Sequence, residues 1–188
     1  LKKAATLLLE QHNGALPADF AALCRLPGLG EYSAGAIASI AFGQPVPAVD
    51  GNVLRVVSRL TGDGSDITRP DTKKQMWADL KAVIPVRSPG DFNQAMMDLG
   101  ATVCLPNGAP LCEKCPAADF CRARLEGRTG ELPYKPPKKA RRVEDRVVFL
   151  VFHEGKVALR QRPKKGLLGG LWEYPNEPAP ARDCLEDW

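Results

Sequence analysis

No stretch of the sequence approaches the roughly 18 apolar residues of a membrane-spanning helix, so no such span is indicated. Neither sign of charge dominates: 26 Lys and Arg stand against 22 Asp and Glu, a formal net charge of +4. A uniformly basic nucleic-acid binder is thereby excluded, although a local basic patch is not. There is no initiator methionine. The opening residues, Leu1 to Thr6, lead into amphipathic sequence and not into the apolar core of a signal peptide. The chain reads as a fragment. Internal repeats and low-complexity tracts are also missing. What is abundant is turn-forming residues, with 17 glycines and 17 prolines among 188 residues, above the usual combined share of about 12%. A hydrophobic share of 44% and a charged share of 26% otherwise match a soluble globular domain. The positive excess is concentrated. Between Arg122 and Arg142 eight basic and two acidic residues sum to +6, leaving −2 for the remainder.

Apolar spacing predicts helices over residues 1–12, from Pro17 to Leu26, 31–42, 53–60, 70–83 and 91–103. The first 103 residues therefore read as all-α with short connections. After Cys104 the character changes, and the basic, proline-containing stretch from Arg122 to Arg142 reads as a linker. Beyond it, Val147–Phe152 and Lys156–Arg160 read as two strands joined by a turn at His153-Glu154-Gly155.

Four of the six cysteines fall close together, at Cys104, Cys112, Cys115 and Cys121, in the spacing C-x7-C-x2-C-x5-C. Four thiolates gathered by one loop can hold a tetrahedral zinc ion or a 4Fe–4S cluster. One close pair flanked by wider arms suits the larger cluster better, but spacing alone leaves zinc and a metal-free loop open. Cys24 reads as a core residue, and isolated Cys184 carries no assignment.

Two further features could carry chemistry. Leu26-Pro27-Gly28-Leu29-Gly30 lies between two helices. Its glycines let backbone N–H groups approach a phosphate at a helix N-terminus, or the segment is an ordinary turn. Asp50 follows a proline-rich extended run and precedes a helix, the position of an N-cap. A carboxylate there sits where the helix dipole favours negative charge. It could stabilise positive charge developing on a sugar, so cap and catalytic readings are compatible.

Taken together and in this order, the motifs resemble a known family. Leu26 through Ile37 resembles the helix-hairpin-helix of the HhH-GPD DNA glycosylase superfamily, and Gly43 through Val53 resembles its Gly/Pro-rich loop and catalytic Asp. Phe92 through Ala101 and the cysteine cluster are similar to the adenine glycosylases of the MutY family, and Gln161-Arg162-Pro163 and Gly169 through Pro175 look like the start of that family's Nudix-like domain. The first cysteine gap is one residue longer than the family's usual one. Endonuclease III shares the hairpin, the Asp and the cluster, but carries a nucleophilic Lys where this chain has Tyr32.

The resemblance implies a mainly α fold. It places a helical HhH-GPD glycosylase core at residues 1–103, an iron–sulfur loop at 104–121, a basic linker at 122–142 and a truncated Nudix-like α+β domain at 143–188. It implies a monofunctional base-excision-repair glycosylase that removes adenine mispaired with 8-oxoguanine or guanine. Asp50 would be the catalytic carboxylate, with Tyr32 and Asn52 arranging it and the sugar. Leu26, Pro27, Gly28, Leu29, Gly30 and Glu31 would bind DNA, with a monovalent cation at the hairpin carbonyls. Cys104, Cys112, Cys115 and Cys121 would hold the cluster. The partner would be mispaired double-stranded DNA, with no membrane, and the protein a monomer in the bacterial cytoplasm at the nucleoid. The family's general-acid Glu lies in a segment N-terminal to Leu1, and its 8-oxoguanine-reading elements lie beyond the other end. The isolated chain is therefore expected to show little turnover, which leaves a non-catalytic DNA-binding fragment or an endonuclease III-like glycosylase as alternatives. No Nudix-hydrolase metal motif is present, so nucleotide hydrolysis is not expected.

Overall fold

The computed structural model describes residues 1–137, 140–141 and 143–179. Lys138, Lys139 and Arg142 of the basic stretch, and Cys184, lie outside the described residues. The chain divides into two compact units, Leu1–Pro137 and a second beginning at residue 138. Among the described residues no helix is long and apolar enough to cross a membrane.

The first unit is helical: α1 (Lys2–His12), α2 (Phe20–Arg25), α3 (Glu31–Ile40), α4 (Gly51–Thr61), α5 (Pro70–Val83), α6 (Pro89–Asp98) and a short α7 (Arg122–Leu125). Helix α2 starts later than Pro17, because Asp19 supplies the cap by accepting from the Ala22 amide at 2.7 Å. Helix α6 starts earlier than Asp91, with Pro89 in the first turn, where its missing N–H costs nothing. It does not run to Val103 as an α-helix. At Leu99–Val103 it widens into a turn of π-helix, closed by the Cys104 amide on the Leu99 carbonyl at 2.7 Å.

Helix α4 is the axis of this unit. Every residue from Val53 to Arg59 is buried, so the helix contacts protein all round. One side packs Val53, Leu54 and Val57 against Ile67 and α5 residues Met76 and Leu80, with Phe92 and Met96 of α6 alongside. A second core joins Leu23 and Leu26 to Ala34 and Ala38 of α3 and to Val46, with the Phe20 and Trp77 rings stacked at 6.1 Å. A third joins Cys121, Ala123 and Leu132, with Leu60 against them. The basic stretch read as a linker is thus packed in its first part. Ala123 and Leu132 are buried apolar positions that the local density of charge conceals.

Among its described residues the second unit has six short strands: β1 (Arg146–Val148), β2 (Phe152–His153), β3 (Lys156–Val157), β4 (Arg160–Gln161), β5 (Trp172–Glu173) and β6 (Asn176–Pro178). They pair antiparallel as β1–β6, β2–β3 and β4–β5. Each of the two strands expected from sequence is divided between partners. Residues 147–152 pair first with β6 and then, past Leu150, with β3, while residues 156–160 pair first with β2 and then with β5. The turn is Glu154-Gly155, both at positive φ (47° and 72°), the geometry that matches the twist of a two-residue hairpin.

Candidate active site and cysteine centre

The segment 43–53 fixes Asp50. Its backbone is extended (φ −111°, ψ −173°), and its Oδ1 accepts from the Asn52 and Val53 amides at 2.9 and 2.8 Å. Oδ2 accepts from the Asn52 carboxamide at 3.1 Å. Asp50 is therefore an N-cap, held at both oxygens and half-buried at the start of a buried helix. Asn52 in turn accepts through Oδ1 from Arg55 Nη2 at 2.9 Å.

Two arginines that sequence reading did not single out continue from there. Arg55 and Arg59 are each 4% exposed. Arg55 donates to the Gly100 carbonyl at 2.7 Å and to the Cys104 carbonyl at 2.8 Å. Burial pulls its guanidinium below the ordinary arginine value, while the neighbouring Cys104 and Asp50 oppose that shift. Arg59 donates to the Leu132 and Leu105 carbonyls at 2.7 and 2.9 Å, and to Cys104 Sγ at 3.3 Å. Helix α4 thus runs from the Asp50 carboxylate to the cysteine loop through side chains one turn apart. A signal existed: apart from Ser58, both arginines lie in an otherwise apolar run, Val53–Leu60, where a charge must be buried and paired. Gly100 makes this contact feasible, since a Cβ there would stand 2.8 Å from Asn52 Cβ.

Cys104, Cys112, Cys115 and Cys121 all line one cavity, together with Arg59, Arg124 and Val103. Burial pushes the Cys112 thiol up, and Cys121, Cys115 and Cys104 push it further, with Arg124 opposing. Four thiols lining one cavity have the donor chemistry of a thiolate-ligated metal centre. As placed, no group of three or more described His, Cys, Asp or Glu side chains could hold a metal ion. Cys24 is not part of this cavity; it packs beside the α2–α3 core, where burial raises its thiol.

The hairpin Leu26–Gly30 links α2 to α3. Leu26 is buried, whereas Gly28 and Gly30 are exposed, and Gly28 has φ +85°, a conformation that favours glycine. Gly30 caps α3 without any side-chain hydrogen bond. The first amides of α3, around Glu31 and Tyr32, therefore lack the side-chain acceptor that Asp50 gives α4. Tyr32 donates from its hydroxyl to Met97 Sδ of α6 at 3.6 Å. It also lines a cleft of about 570 Å³ with Phe20, Val49, Leu54, Lys73 and Trp77.

No family model matches the chain. Curated relatives do. The human protein named adenine DNA glycosylase is 36% identical over 222 aligned residues, covering 94% of this chain and 40% of its own length. That of Arabidopsis thaliana is 40% identical, covering 85% of this chain and 28% of its own length. That of Buchnera aphidicola from Acyrthosiphon pisum is 30% identical, covering 92% and 49%. The chain spans half the length of these relatives or less. Among solved structures it is similar to a thermostable thymine-DNA glycosylase at 30% identity and a TM-score of 0.59, covering 66% of this chain and 57% of that one. It is also similar to endonuclease III in a non-covalent complex with DNA, at 30% identity and a TM-score of 0.53, covering 65% and 55%.

Proposed function

From its homology with proteins named adenine DNA glycosylase over most of its own length, we propose that this chain carries the hairpin, catalytic carboxylate and cysteine centre of a base-excision-repair glycosylase. The substrate is adenine opposite 8-oxoguanine or guanine in double-stranded DNA. The observation that carries the reading is Asp50. Its carboxylate is gripped at both oxygens at the N-terminus of a buried helix, in a chain whose relatives are named for this activity.

The target nucleotide must leave the stack, at a cost of a few kcal/mol. The α3 N-terminus, with exposed Gly28 and Gly30 and no side-chain cap, receives a backbone phosphate beside it; the carbonyls of the hairpin would hold a monovalent cation. Breaking the N-glycosidic bond gives the sugar oxocarbenium character, as in glycoside hydrolysis. Asp50 supplies the negative charge for that state, Asn52 fixes Oδ2, and Tyr32 stands on the first turn of α3 as a sugar-arranging group. Tyr32 cannot form an imine, so the reaction is monofunctional hydrolysis without Schiff-base strand cleavage. Cys104, Cys112, Cys115 and Cys121 would hold a 4Fe–4S cluster, which when bound cross-links the loop and supplies no step of the hydrolysis. Arg59 and Arg124 line the same cavity and would offset the thiolate charge. The strand unit is proposed as the start of a Nudix-like, 8-oxoguanine-recognising domain.

The reading is tested on the gene product carrying this sequence, with duplexes holding adenine opposite 8-oxoguanine or an oxidised pyrimidine opposite guanine. Free adenine and an intact abasic strand are expected. Release of the pyrimidine with borohydride-trapped covalent DNA would assign the chain to endonuclease III-like chemistry instead. Residues 1–188 alone are expected to release little adenine, and robust release would place the general acid within them. Anaerobic purification should give four irons per chain and broad visible absorbance; zinc, or no metal, would remove the cluster.

A further inference from the structure

The segment that delivers Asp50 is held by a side chain with no role so far. Asn93 of α6 is 2% exposed. Its Oδ1 accepts from the Ala48 amide at 3.0 Å, and its Nδ2 donates to the Val46 carbonyl at 2.9 Å and to Ser39 Oγ at 2.8 Å. One carboxamide therefore satisfies backbone groups at both ends of Val46–Ala48, two positions before Asp50. Its partner Ser39, 2% exposed, comes from α3 and itself donates to the Ala36 carbonyl at 3.2 Å. Close packing completes the grip. A Cβ on Gly35 would lie 2.5 Å from the Pro47 carbonyl oxygen, and one on Gly90 would lie 3.0 Å from Ile40 Cα. Helices α3 and α6 thus close on the segment from two sides, and Lys81 donates to the Pro45 carbonyl at its entrance.

We propose that Asn93 is a positioning residue for Asp50: by tying Val46–Ala48 between α3 and α6, it sets where the carboxylate stands against the sugar. The Asp50 contacts with Asn52 and Val53 orient the carboxylate relative to α4. The Asn93 contacts fix the incoming chain, and with it the placement of Asp50 relative to α3 and the phosphate-binding hairpin. A core asparagine retained only for folding would affect stability and leave the carboxylate where it is. The inference rests on the reading of Asp50 as the group that stabilises a cationic sugar.

The test uses the full chain and two readouts. The first is affinity for a duplex bearing a cationic pyrrolidine abasic site opposite 8-oxoguanine, divided by affinity for the same duplex with a neutral tetrahydrofuran site. The second is hydrogen exchange at the Ala48 amide. The wild-type chain should prefer the cation, and Asp50→Asn should lose that preference. A wild type without the preference would overturn the reading of Asp50 and the positioning role together. Given the preference, Asn93→Ala should reduce it roughly ten- to a hundredfold, the cost of a displacement of about 1 Å. Neutral-site affinity should be kept, and exchange at Ala48 should quicken. Asn93→Asp keeps an acceptor for Ala48 and loses the donor, so its effect should be intermediate; it carries the test if Asn93→Ala does not fold. Ser39→Ala removes one partner and should have the smallest effect. A folded Asn93 variant with full cation preference, or with unchanged exchange at Ala48, would overturn the proposal and leave the reading of Asp50 standing.

Discussion

The helical unit and the strand unit are stabilised by opposite means. In the first, Leu23, Ala34, Ala38 and Ala123 are fully buried, and even the charged Arg55 and Arg59 lie inside with their donors on carbonyls. In the second, Asn176 is the one buried residue among the described positions from 143 onward. Val148, Phe152, Leu167, Trp172 and Tyr174 are exposed. Polar contacts take over there. Glu173 accepts from Arg160 Nε at 3.0 Å and from Arg162, and Arg146 reaches Asn176 Oδ1 at 2.6 Å. Apolar burial stabilises by about 25 cal/mol per Å², whereas ion pairs near a surface add little, because solvent screens them and ordering two side chains costs entropy. The helical unit can therefore hold buried polar groups at fixed distances, which a catalytic carboxylate requires.

That contrast can be broken most forcefully at Leu23. Leu23→Ala should cost the helical unit about 2–5 kcal/mol, read by denaturant titration with segment-resolved hydrogen exchange, and leave exchange in the strand unit unchanged. Equal loss in both units would show that their stabilities are not separate. Gly35→Ala comes next. Its Cβ would meet the Pro47 carbonyl oxygen at 2.5 Å, and forcing atoms into a packed site costs about 1–3 kcal/mol, more than the roughly 1 kcal/mol that alanine gains in a helix. A more stable Gly35→Ala protein would mean that the segment before Asp50 yields easily.

The strand unit should respond to acid. Burial pushes the Glu173 carboxyl up, but hydrogen bonds from Arg160, Asn176 and Arg162 outweigh it and hold the group below its ordinary value. A depressed folded value means that the contribution is present at neutral pH and is lost as pH falls from the ordinary carboxylate range through the folded value. Amide signals of β4 and β5 should therefore lose protection below about pH 4, and Glu173→Gln should flatten that dependence; an unchanged profile would remove Glu173 from the account. The smallest effect belongs to Phe152→Ala. At 70% exposure it should change stability by no more than about 0.5 kcal/mol, and a loss of several kcal/mol would reveal a buried contact for that ring.

Features written into local sequence were legible. Asp50 reads as a cap because an extended Pro-rich run must end before a helix begins, and α5 follows its apolar spacing from Pro70 to Val83. The four cysteines reach one cavity because their loop is short. Features set by distant partners were not. The division of residues 147–152 between β6 and β3 depends on strands up to 30 positions away. The π-turn at Leu99–Val103 carries Gly100, which lies against Asn52 of a distant helix. Asn93 stood within a recognisable motif, yet its role is visible only once α3 and α6 enclose Val46–Ala48.

The most direct measurement is single-turnover release of adenine opposite 8-oxoguanine by the gene product carrying this sequence, compared with its Asp50→Asn variant. Asparagine caps a helix about as well as aspartate, so the start of α4 is kept while the charge is removed. The account predicts a rate lower by roughly 100-fold or more, with the fold and DNA binding retained. A variant that released adenine at the full rate would contradict it and leave Asp50 as a helix cap alone.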